Sequence, residues 1–220
     1  MIMRENVAIV DLFYLPPIEF FVAIDEMDTI YIEAQDNYQK QSYRNRTGIQ
    51  MANKTDILSI PIIGGNSKIK YREVVMDDGQ RWRDIHLRGI KSAYGKAPFF
   101  EYFYPEIENL FKENIPYLYA FNYRLLTLCL NLLDRSVKIK ETLDYQAHGD
   151  KIDLRGVINA KAPYTDRNIY ESYPYTQLFG LNFAPNLSIV DLLFCEGPNS
   201  KNIIGDSKKE IEHSLKGLRF

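Results

Sequence analysis

Between Tyr38 and Arg46, in the stretch EAQDNYQKQSYRNR that runs from Glu33, stand Lys40, Arg44 and Arg46 and no acid. If the segment is extended, side chains alternate, so Tyr38, Lys40, Ser42, Arg44 and Arg46 share one face while Asn37, Gln39, Gln41, Tyr43 and Asn45 take the other. Such a row suits an anion, because a guanidinium offers forked donors to phosphate or carboxylate and an ammonium a point charge. The same row also suits a solvated, charged edge strand that resists edge-to-edge association. A second candidate is His86. Helical spacing over 80–95 puts Trp82, Ile85, His86, Gly89, Ile90 and Ala93 in one stripe, with Arg83, Asp84, Arg88 and Lys91 opposite or to the side. An inward imidazole beside small residues can serve as a general base in a pocket. It can equally be a core histidine satisfied by a neighbouring carbonyl.

The elements that must position these groups follow from periodicity. Val7 to Leu15 is a β-branched and aromatic run that ends at Pro16-Pro17, and proline suits the first helical position, so a helix with Ile18, Phe21 and Val22 on its apolar side follows. After Asp28, TIYIE predicts a second strand. A strand, helix, strand unit of this kind makes a parallel crossover whose ligands favour the carboxyl ends of the strands, where Tyr14, Leu15 and the cationic stretch fall. Arg46–Ala52 and Ile57–Ile63 flank a hairpin turn at Asn53-Lys54. Gly64-Gly65-Asn66-Ser67 reads as a turn, and the run after Lys68, IKYREVVM, as a strand. Phe99–Asn114 and Tyr117–Asp134 have helical spacing, with Asn122 in the apolar stripe of the second as a buried amide in need of a partner. Ser136–Leu143 reads as a strand, 148–179 as an ordered loop layer, and Pro185–Cys195 as a helix with Ser188 and Asp191 in a capping-box-like start. Lys208–Lys216 suggests a short terminal helix. These elements imply an α/β fold, a single-domain mixed sheet with at least one βαβ unit flanked by helices; α+β is the alternative. Residues 1–198 form the domain and 199–220 a tail.

Composition narrows the function classes. The chain has 220 residues, 45% hydrophobic and 25% charged, with a formal net charge of −2. It can fill its own core, and it has no global field to draw nucleic acid, so any anion site must be local. Cys129 and Cys195 lie in apolar contexts suited to a reducing compartment. His86, His148 and His213 are far apart and none accompanies a cysteine, so no metal site is expected. No glycine fingerprint for a dinucleotide occurs and no cofactor is implied. The N-terminal apolar run is broken by Asp11 and lacks a small-residue cleavage site, and Tyr117–Leu133 carries Asn122, Arg124 and Asn131. These features predict neither a secretory signal nor a membrane span.

Taken together, FYLPPIEFF, NYQKQSYRNR, LSIPI, RWRDIHLRGIKSAYGKAPFFEYF, AFNYRL and PNLSIVDLLFCEGP resemble the WbqC-like family, especially its shorter bacterial branch, over nearly the whole chain. Other members of that family carry a histidine-glutamine-proline start, where this chain has Val10-Asp11-Leu12-Phe13, so any duty of that histidine does not transfer. The family takes its name from surface-polysaccharide biosynthesis loci. The resemblance implies cytoplasmic work on sugar-linked precursors, with glycosyl or acyl transfer as the reaction, or a noncatalytic binding or assembly role in the same pathway. In the transferase reading Lys40, Arg44 and Arg46 hold an anionic small molecule, a nucleotide sugar or acyl donor. His86 is then the base or acid, and Asn45 and Tyr94 orient the acceptor.

Overall fold

Val7–Val10 forms strand β1, and Thr29–Ile32 forms β2, paired with it in parallel from Val7 opposite Thr29 to Val10 opposite Ile32. Between them runs helix α1, Ile18–Ala23, entered through Pro17 as expected. The computed structural model describes residues 5–64, 68–145, 149, 151–180 and 182–209. The hairpin β3, Arg46–Gln50, and β4, Thr55–Ser59, pairs in antiparallel register around Ala52-Asn53, one residue before the expected turn centre, with the Met51 amide donating to the Lys54 carbonyl at 2.9 Å. Then come the helices α2, Trp82–Tyr94, α3, Phe100–Lys112, and α4, Leu118–Leu132, the strands β5, Lys138–Glu141, and β6, Ile152–Asp153, and the helices α5, Ile189–Glu196, and α6, Ser200–Asp206. The sheet order is β5-β2-β1-β6, all parallel, with the β3–β4 hairpin apart from it. The fold is α/β with flanking helices. Strand order reverses beside β1, between β1 and β6, the place where open parallel sheets most often hold ligands.

Several expectations need correction. Tyr38–Asn45 is a looped segment, and only Arg46 enters a strand. Gln41 has φ 54° and Arg44 folds inward onto Asp11 and Asp36, so the alternation of an extended chain is lost. β1 stops at Val10, because Asp11 turns to meet Arg44 and Leu15 adopts φ 40°. The Leu15 carbonyl accepts from the hydroxyls of Thr47 at 2.8 Å and Ser188 at 3.0 Å, which hold that turn. Ser188 therefore serves the turn and makes no side-chain cap on α5. In place of the strand expected after Lys68, Tyr71–Glu73 makes one 3-10 turn; Tyr71 is buried and its hydroxyl donates to the Leu12 carbonyl at 3.1 Å. β6 lies within the stretch expected to be loop, where two residues carry no periodic signal. Ile85, placed in the inward stripe of α2, is exposed; the buried face is Trp82, His86, Ile90, Ala93 and Tyr94. A helix follows Gly197-Pro198, with Ile203 and Ile204 buried. Residues 65–67 of the expected glycine turn, His148, and residues 210–216 of the expected terminal helix lie outside the described residues.

The core is rich in aromatic rings. Trp82 meets His86 and Phe121 edge-on at 5.3 and 5.7 Å, and Phe111 meets Phe121 at 5.3 Å. Asn122 sits in this core as a satisfied donor, its Nδ2 reaching the Arg44 carbonyl at 2.7 Å and the Tyr71 hydroxyl at 2.6 Å.

Candidate functional site

The three cations of the 38–46 segment have different surroundings. Arg44 is buried; its guanidinium donates to Asp11 Oδ1 at 2.9 Å, and also meets Asp36 and the Asn37 carbonyl. Burial pulls its pKa down, but Asp11 and Asp36 outweigh that and hold the guanidinium charged. Asp11 in turn accepts the Gly156 amide through Oδ2 at 2.7 Å. The crevice between β1 and β6 is thus bridged from inside. Beside it Glu33, fully buried, pairs with Arg155 at 2.7 Å and accepts the Thr142 hydroxyl at 3.0 Å. These groups lock the carboxyl ends of the strands together. Asp11 was visible in the sequence only as a break in an apolar run, and neither Glu33 nor Arg155 had a spacing signal.

Lys40, Asn45 and Arg46 converge elsewhere, on an open cleft of about 520 Å³ between the 38–46 loop and the segment leaving β4. Tyr38 and Ser59 also line it, with Ile60, Pro61 and Ile62 as an apolar wall. Arg46 makes no ion pair among the described residues, and its Nε is buried without a hydrogen-bond partner there. Asn45 is 7% exposed; its Nδ2 donates to the Ile60 carbonyl at 3.0 Å and its Oδ1 has no partner among the described residues. Burial pushes the Tyr38 phenol up to about 12 against the pull of Arg46 and Arg44, so the hydroxyl is neutral. The lining of the cleft thus includes two cationic side chains, with a donor on Arg46 and an acceptor on Asn45 that have no partner among the described residues.

His86 does not line this cleft. It is 3% exposed, and its Nδ1 lies 2.8 Å from the Tyr14 hydroxyl. Burial lowers its pKa to about 4, and a hydrogen bond to the Ser59 backbone pulls the other way. The ring is therefore neutral near pH 7, and it touches the cleft only through Ser59, one residue behind the wall. Tyr94 is also remote from the cleft: it is buried, its hydroxyl accepts the Gln50 amide at 3.1 Å, and it faces the buried carboxyl of Asp191. The structure brings together Lys40, Asn45 and Arg46, and separates them from Arg44, His86 and Tyr94. Sequence reasoning missed Tyr38, Ser59 and the Ile60–Ile62 wall as site residues; the one available signal was that the hairpin must bring the residues after β4 back beside Asn45.

Among the described residues no helix is long and apolar enough to cross a membrane. A family model described as the WbqC-like protein family matches residues 13–167 and 159–203. The chain is also 26% identical over 227 residues to the uncharacterized protein Rv1507c of Mycobacterium tuberculosis, a match that covers 91% of this chain and 97% of the relative. No solved structure matches it significantly.

Proposed function

The chain belongs to the WbqC-like protein family, and from that membership and the charge of the cleft we propose that it binds an anionic small molecule, a nucleotide sugar or an acyl donor. In this reading it is a cytoplasmic group transferase, for glycosyl or acyl transfer, in the metabolism of bacterial surface-polysaccharide precursors. The observation that carries the reading is Arg46: a guanidinium without an ion pair among the described residues, on the wall of an open cleft, with an unpaired buried Nε. A buried donor left unsatisfied costs about 1–3 kcal/mol, which a bound phosphate or carboxylate would offset. Lys40 adds a second positive charge to the lining of the cleft.

In this proposal Lys40, Asn45 and Arg46 contact the ligand. Arg44 and Tyr94 hold the loop and the hairpin behind it, and His86 positions the Ser59 wall. A noncatalytic binding or assembly role is the second reading, and the burial of His86 favours it, since a general base has to reach the proton it removes. The test is a thermal-shift screen of parent and Arg46→Gln against nucleotide sugars, free nucleotides and acyl thioesters. Stabilisation of the parent that is lost in the variant supports the site. A panel in which no compound stabilises the parent more than the variant removes it.

A further inference from the structure

Asn45 narrows the ligand beyond an anion. Its backbone carbonyl accepts the Ile60 amide at 2.8 Å while its side-chain Nδ2 donates to the Ile60 carbonyl at 3.0 Å. Only the amino end of the amide can face a carbonyl, so the orientation of the side chain is fixed by this reciprocal clamp. The remaining atom, Oδ1, is an acceptor, buried and without a partner among the described residues. The next residue supplies the opposite demand, the unpartnered Nε–H of Arg46, and both residues line the same cleft. A ligand that satisfies the pair must give an acceptor to Arg46 and a donor to Asn45. Orthophosphate and pyrophosphate offer chiefly acceptors near neutral pH, and an acyl phosphate carries no hydroxyl beside its phosphate. A sugar phosphate carries both, with hydroxyls or an amide N–H a few bonds from phosphate oxygens. The cleft, at about 520 Å³, is within the range of small-molecule sites, roughly 300–1,000 Å³. Tyr38 and Pro61 offer it flat, partly apolar surface against which the C–H face of a sugar ring can lie.

We infer that the cleft recognises the sugar-phosphate portion of its ligand, with Arg46 on the phosphate and Asn45 Oδ1 accepting from a hydroxyl or amide N–H of the sugar. This rests on the anion reading proposed above and selects glycosyl donors over acyl phosphates within it. The experiment is titration calorimetry of the parent protein with methyl phosphate, α-D-glucose 1-phosphate and its singly deoxygenated analogues. Glucose 1-phosphate is expected to bind about tenfold or more tightly than methyl phosphate, and one deoxygenated analogue to lose that advantage. Asn45→Ala is expected to bring glucose 1-phosphate down to the methyl phosphate level. If this variant does not fold, the analogue series on the parent decides. Equal binding of methyl phosphate and all the sugar phosphates overturns the inference and leaves the anion site standing, with water as the partner of Asn45. Binding of none of them removes the anion site as well.

Discussion

The guanidinium of Arg44 lies 2.9 Å from the carboxylate of Asp11, the first residue beyond β1, and this pair fastens the 38–46 loop to the centre of the parallel sheet. Both side chains are almost wholly buried. Removing one partner of such a pair leaves the other charged and unpaired, at a cost of about 3–5 kcal/mol. Arg44→Met should lower unfolding stability by that amount in urea titrations. A loss below about 1 kcal/mol would show that the pair does not anchor the loop.

His86 gives a pH signature. Its folded pKa of about 4 lies below the ordinary value of 6.5, so between these values the unfolded chain takes up a proton that the folded chain refuses. Its contribution to stability is complete above pH 6.5 and is lost as the pH falls towards 4, by about 3 kcal/mol in all. His86→Gln keeps an acceptor for the Tyr14 hydroxyl and should flatten the stability profile between pH 6.5 and 4. Parallel profiles for parent and variant would mean that the imidazole is solvated and free to act as a base.

Gly197 ends α5 with φ 53° and ψ −126°, a backbone conformation closed to residues with a side chain, and a Cβ there would overlap the ring of Phe99. Gly197→Ala should cost about 2–4 kcal/mol, read as a drop in melting temperature. An unchanged melting temperature would mean that the turn can relax.

Tyr94→Phe leaves the Gln50 amide without its partner, the Tyr94 hydroxyl at 3.1 Å. Stability should fall by about 1–3 kcal/mol while ligand affinity stays the same. A specific loss of affinity in a variant of unchanged stability would return Tyr94 to the binding site.

The sequence made the crossover β1–α1–β2, the β3–β4 hairpin and the helices α2 to α5 legible, because each joins a clear hydrophobic period to a proline, asparagine or glycine signal at its ends. The 38–46 segment misled because alternation presumes an extended chain, whereas a buried acid 33 residues earlier captures Arg44 and bends it. That tie is a long-range contact with no local trace. The same holds for the bidentate pair of Arg167 with the fully buried Glu19, at 2.6 and 2.7 Å, and for β6, whose two residues are strand only because β1 offers an open edge. Of the residues lining the cleft, Lys40, Asn45 and Arg46 stand out by type in the sequence. Which arginine faces the cleft depended on where Asp11 sits.

In the proposed reading Arg46 anchors an anion in the cleft. Its most direct test is calorimetric titration of UDP-N-acetylglucosamine into parent, Arg46→Lys and Arg46→Gln at low salt. The expected outcome is binding by the parent, about tenfold or more weakening in Arg46→Gln, an intermediate loss in Arg46→Lys, which keeps the charge without the fork, and an unchanged melting temperature for both variants without ligand. Equal affinity in parent and Arg46→Gln would contradict it.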